Sequence, residues 1–114
     1  MGSIICVEIN MHNKALAEER FPTIKDGFLK EMEKNPGAKM LSPKVYLDNG
    51  LIFIEINAFM ESVAKQVMPT IKNTLVKEFL EQAKKDGLEA SIECYLKEWG
   101  SERNEWKVCF NAWN

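Results

Sequence analysis

The feature that most constrains this chain is its similarity to itself. Sliding the sequence by 47 residues lays Ile5-Cys6-Val7-Glu8-Ile9-Asn10 on Ile52-Phe53-Ile54-Glu55-Ile56-Asn57, and Phe21-Pro22-Thr23-Ile24-Lys25 on Met68-Pro69-Thr70-Ile71-Lys72, with no gap. Twelve of the 44 aligned positions are identical: residues 5, 8, 9, 10, 17, 22, 23, 24, 25, 30, 31 and 41. Ordinary composition would give roughly three. A period of this size is one supersecondary unit used twice. The expected organisation is a single domain over residues 1–114, with repeat units at 4–47 and 51–94 and one further C-terminal strand over 105–113.

Each unit reads as strand, helix, strand. The segments from Ser3 to Met11 and from Leu51 to Ala58 alternate and are rich in Ile, Val and Phe, the period-two signature of a strand. Phe21, Ile24, Phe28 and Met32, and then Ile71, Leu75, Phe79 and Ala83, recur at helical spacing. Proline inside a helix costs about 3 kcal/mol but little at its first position. The main helices are therefore expected after Pro22 and Pro69, with Lys14 to Arg20 and Glu61 to Val67 as lead-in segments that can hold a helical turn or two and meet the main helix at a kink. Asn35-Pro36-Gly37 and Asp86-Gly87 read as helix stops. Asn49-Gly50 between apolar runs predicts a tight hairpin where the units meet. A second hairpin is expected across Gly100 to Asn104. The order β-α-β-β-α-β plus one strand predicts an α+β fold, a ferredoxin-like antiparallel sheet with two helices on one face.

Charge and cysteine usage exclude several classes. The 114 residues carry a net charge of −2 and no Lys/Arg run, whereas binding through the phosphate backbone rests on clustered basic side chains. No apolar stretch approaches the roughly 18 residues of a membrane span, and no signal peptide pattern opens the chain. Cys6, Cys94 and Cys109 are odd in number and far apart, without metal-ligand spacing. They read as small hydrophobes in a reducing compartment, and a cytoplasmic location is expected. Phosphate loops, HExxH and nucleophile motifs are absent. No cofactor or metal is expected.

Alternation also sorts the strands into two faces. With Ile5, Val7, Ile9, Ile52, Ile54, Ile56, Ile92, Cys94 and Leu96 turned to the helices, the opposite face carries Cys6, Glu8, Asn10, Phe53, Glu55, Asn57, Glu93, Tyr95, Lys97 and Trp99. Tyr46, Cys109, Asn111 and Trp113 are expected to join them. Phe53, Tyr95, Trp99 and Trp113, with Asn10 and Asn57, are the candidate binding residues, because uncovered aromatic groups mark interaction surfaces. Glu8 and Glu55, at the same place in the two units, are candidate proton-transfer carboxylates. His12, the one histidine, follows the first strand and is the candidate base beside them.

Three resemblances bear on function. Asn49-Gly50-Leu51-Ile52-Phe53-Ile54-Glu55-Ile56 is similar to the central-strand motif of RNA-recognition domains, which share this strand order. It has the glycine and one aromatic but lacks the leading basic residue and the other stacking rings, so nucleic acid is not an expected partner. Two β-α-β units in this length resemble the tautomerase superfamily, whose trimers bury their sheets and whose N-terminal proline acts as base; here Gly2 follows Met1. Dimeric α+β barrel proteins, with sheets packed face to face, are similar to the same degree. The expected function is a small binding or self-association module acting through the open sheet face, as a dimer, a trimer or with a partner protein. The alternative is an oligomeric isomerase-like enzyme using Glu8, Glu55 and His12, so whether the chain is an enzyme stays open.

Overall fold

The computed structural model describes residues 2–34 and 42–113; Asn35-Pro36-Gly37 lies outside them. The chain runs β1 (Ser3–Asn10), α1 (Lys14–Glu33), β2 (Lys44–Asp48), β3 (Leu51–Asn57), α2 (Glu61–Ile71), a π-helical turn (Lys72–Val76), α3 (Lys77–Lys85), β4 (Ser91–Glu98) and β5 (Lys107–Trp113). The fold is α+β. Its five strands form one open antiparallel sheet in the order β2-β3-β1-β4-β5. Two helical rods cover one face, since α2, the π turn and α3 are continuous.

Local chemistry explains the joints. Asn49 and Gly50 both take positive φ, 50° and 80°, which closes the β2–β3 hairpin on Asp48 and Leu51 with the twist that a two-residue turn needs. Asn13 caps α1 by accepting from the Leu16 N–H. At the far end of α3, Gly87 at φ 72° lets its own N–H reach the Lys84 carbonyl and the Leu88 N–H reach that of Ala83, a Schellman closure.

The prolines correct one expectation. Pro22 lies inside α1 and Pro69 inside α2 rather than at helix starts. Both are exposed, so the carbonyls that they leave without a helical donor can be hydrated. The segments before them are anchored: Ala17 and Ala64 are fully buried, and Met68 is buried as well. Leu16, Ala17 and Phe21 in α1, and Val63, Ala64, Val67 and Met68 in α2, all pack on the core, and such tertiary packing carries the helices through their prolines.

Alternation sorted the sheet as its pattern implies. Ile5, Val7, Ile9, Ile52, Ile54, Ile56, Ile92, Cys94 and Leu96 all belong to the core shared with the helices. Cys6, Phe53 and Tyr95 form a smaller cluster on the other face. A bulge at Cys94/Tyr95 pairs Cys94 with Phe110 but Tyr95 with Val108, so Cys109 is the extra residue and β5 leans away from a flat continuation. Among the described residues no helix is long and apolar enough to cross a membrane.

Candidate functional site

The face opposite the helices is built from β1, β3 and β4 and crossed by the β4–β5 connection. Residues 100–106 fold back as a strap containing a 3-10 turn (Arg103–Glu105), closed by reciprocal Glu102 and Glu105 bonds. Trp106 stands edge-on to Phe53 at 6.4 Å and to Tyr95 at 5.6 Å between ring centroids. Tyr46 stacks on Phe53 at 5.1 Å. The Arg103 guanidinium lies 4.8 Å from the centroid of Trp106, 5.0 Å from that of Tyr95 and 5.6 Å from that of Phe53. Phe53 and Tyr95 are therefore buried within the chain itself.

Beneath the strap two of the three carboxylates, Glu8 and Glu55, each meet a cation of their own. Glu8 is 7% exposed and accepts a bond of 2.6 Å from Arg103 Nη2. Glu55 accepts 2.6 Å bonds from Lys97 Nζ and from the Tyr46 hydroxyl. The Tyr95 hydroxyl points to both Glu93 and Glu8, 3.2 Å from the latter, and accepts from Arg103 at 3.3 Å. It has one proton for two carboxylates. Glu8 and Glu93, directly opposed on β1 and β4, thus share one phenol, while the Arg103 guanidinium bonds Glu8 and the phenol oxygen. Glu55 belongs to a separate group with Lys97 and Tyr46.

The remaining candidates divide between the two ends of the face. Glu8, Asn10, Glu93, Asn111 and Trp113 line a cleft of about 270 Å³. His12 sits at that end with Nε2 3.1 Å from Ser91 Oγ. Trp99 lies at the other end, its backbone N–H donating to the Gly2 carbonyl and the Lys44 ammonium 5.7 Å from its ring centroid. Asn10 and Asn57 do local work: each Oδ1 accepts the N–H two residues on, from His12 at 2.8 Å and from Phe59 at 3.0 Å. Those two residues have positive φ, 57° and 66°, and the asparagine turns hold them there. No group of three or more metal-ligating side chains occurs among the described residues.

Arg103 and Trp106 were not singled out from sequence. The signal was there in the charge count of the face: three carboxylates against Lys97 alone require another cation once Glu8 is buried. Arg103, in the loop nearest β4 in sequence, is the cation that meets the demand.

Burial also sets the acid–base behaviour of the site. It pushes the Cys6 thiol up to about 12, with Glu55 adding to the effect, and the Cys94 thiol likewise to about 12. The phenols of Tyr46 and Tyr95 are raised by burial first and then by their bonds to Glu55 and Glu93. All four groups hold their protons more tightly folded than unfolded. Their stabilisation is complete below the unfolded thiol value of 9.0 and is lost as pH climbs toward the folded values. Each buried thiol contributes a slope of about 1.4 kcal/mol per pH unit in that window. The expected thermal melting temperature is level between about pH 7 and 8.5 and falls steeply above about 9.5. A level profile to about pH 11 would contradict the burial of these groups.

No protein-family model matches the chain, and no curated protein or solved structure matches it significantly.

Proposed function

We propose that the chain is a small self-associating binding module, in which the β4–β5 side of the open sheet face receives a second copy. The observation that carries this reading is the exposure of Trp113 (71%) and Val108 (57%) along the outer edge of β5, which is unpaired among the described residues, with Trp99 (56%) exposed at the other end of the face. Each indole can bury some 150–250 Å² against a partner, and exposed edge strands are templates for pairing. Phe53 and Tyr95 serve from below, holding the strap that separates the two tryptophans. Self-association in a reducing, cytoplasmic setting also accords with three unpaired cysteines.

We further read the first four strands and the helices as a ferredoxin-like duplication. The adjacent strands run β2-β3-β1-β4, and positions 47 apart behave alike: Asn10 and Asn57 cap turns, His12 and Phe59 take positive φ, and Ala17 and Ala64 are fully buried. An isomerase-like proton-transfer role has one observation in its favour, the Tyr95 hydroxyl between Glu8 and Glu93.

Native mass spectrometry and light scattering test the association. The wild-type chain is expected above its 13.1 kDa monomer mass, and the double variant Trp99→Ala/Trp113→Ala at it. Glu8→Gln and Glu55→Gln should keep the assembly. A wild-type protein that is monomeric at about 100 μM, which bounds any association at weaker than about −5.5 kcal/mol, would sink the proposal.

A further inference from the structure

The two helical rods leave a hollow between them over the middle of the sheet, although the sheet residues beneath it are only 0–2% exposed. Between them lies a cleft of about 340 Å³ whose floor is Val7, Ile9, Ile54 and Ile92 and whose walls include Phe28 and Phe79. That volume and apolar lining fall at the small end of ligand pockets. A second hollow of about 180 Å³, lined by Met11, Arg20 and Leu88 among others, shares Ile24 and Phe79 with it.

Each rod carries an unusual feature where it borders the cleft, a glycine in one and a π-helical turn in the other. Gly27 sits in the interior of α1 with nothing within 4 Å of where a Cβ would stand, although alanine there would favour the helix by about 1 kcal/mol. Opposite, Leu75 and Val76 border the cleft from the π-helical turn, and such turns are rare and cluster at functional sites. Glu31 and Glu78, the same position in the two repeat units, are the charged residues that border the cleft among the described residues, while Arg20 and Asp86 border the smaller hollow. Glu78 has no ion-pair partner among the described residues, while Glu31 meets Lys34 at a fully hydrated site.

We infer that this interhelical cleft binds a single-chain amphiphile with a cationic ammonium head, its chain along the floor and its head among the rim carboxylates. The apolar floor supplies affinity in proportion to buried chain length. The carboxylates select the sign of the head, and an anionic head would meet only like charge there. This site lies on the opposite side of the sheet from the strap and from the proposed self-association surface.

The test is titration calorimetry of the whole chain with decylamine and with decanoate, repeated on Gly27→Leu and Glu31→Gln/Glu78→Gln. Decylamine is expected to bind one-to-one and at least about ten-fold tighter than decanoate, as expected when rim charges decide. Gly27→Leu fills the cleft and removes a helical glycine, so it should raise the melting temperature while abolishing binding. The double Gln variant should erase the preference for the amine. Absence of decylamine binding, equal binding of decanoate, or undiminished binding by a stabilised Gly27→Leu each overturns the inference.

Discussion

Alanine at Ile5 or at Ile52 is expected to cost about 3–4 kcal/mol each, within the range for emptying a fully buried isoleucine site. Both side chains are wholly removed from solvent, on adjacent central strands, and they face the helix-side core. Each pairs across the strands with another core isoleucine, Ile5 with Ile56 and Ile52 with Ile9. Their surroundings match so closely that the two costs should agree within about 1 kcal/mol, the usual spread from local relaxation. Urea unfolding checks this through a shifted midpoint at unchanged slope. Losses below about 1 kcal/mol, or a gap of several kcal/mol between the two sites, would contradict the matched burial.

Arg103→Met is expected to destabilise the fold by about 2–3 kcal/mol, because it strands the Glu8 carboxylate beneath the strap. The cost stays below that of a fully buried pair, since the Arg103 side chain is 49% exposed while that of Glu8 is 9% exposed. Adding Glu8→Gln should recover about half of the loss by removing the unpaired charge. Fluorescence gives an independent reading. In a Trp99→Phe/Trp113→Phe background Trp106 is the single remaining indole, so a red shift on Arg103→Met reports Trp106 leaving its contacts with Phe53 and Tyr95. Additive losses in the double variant, with no spectral change, would mean that the guanidinium does not hold the strap.

These residues mark the boundary of what could be read from the sequence. Alternation separated Ile5, Val7 and Ile9 from Cys6 and Glu8 because a strand offers only two faces. Asn49-Gly50 named its turn because few residues tolerate two successive positive φ angles. The prolines misled, since local propensity says nothing about whether the carbonyl a turn below faces water or core. Arg103 and Trp106 escaped for a related reason. Pattern reading treats a polar loop as solvent-facing, whereas the buried Glu8 on a strand 95 residues earlier in the chain decides where this loop lies. Phe53 and Tyr95 were rightly assigned to the second face, but their covering comes from the chain's own strap. The role of Asn10 and Asn57 was legible only in part: repetition flagged them, while their work is to hold the turns at His12 and Phe59.

The place of β1 has a kinetic consequence. Hairpins β2–β3 and β4–β5 are each local, yet they join only through β1, which pairs Ile4 with Asn57 on one side and Ser3 with Glu98 on the other. Neither seam can form until a long loop has closed, and that closure entropy must be met before the pairing rewards it. The hairpins can therefore mature early and independently while β1 docks last, as the step that turns two ribbons into one sheet and sets the folding rate.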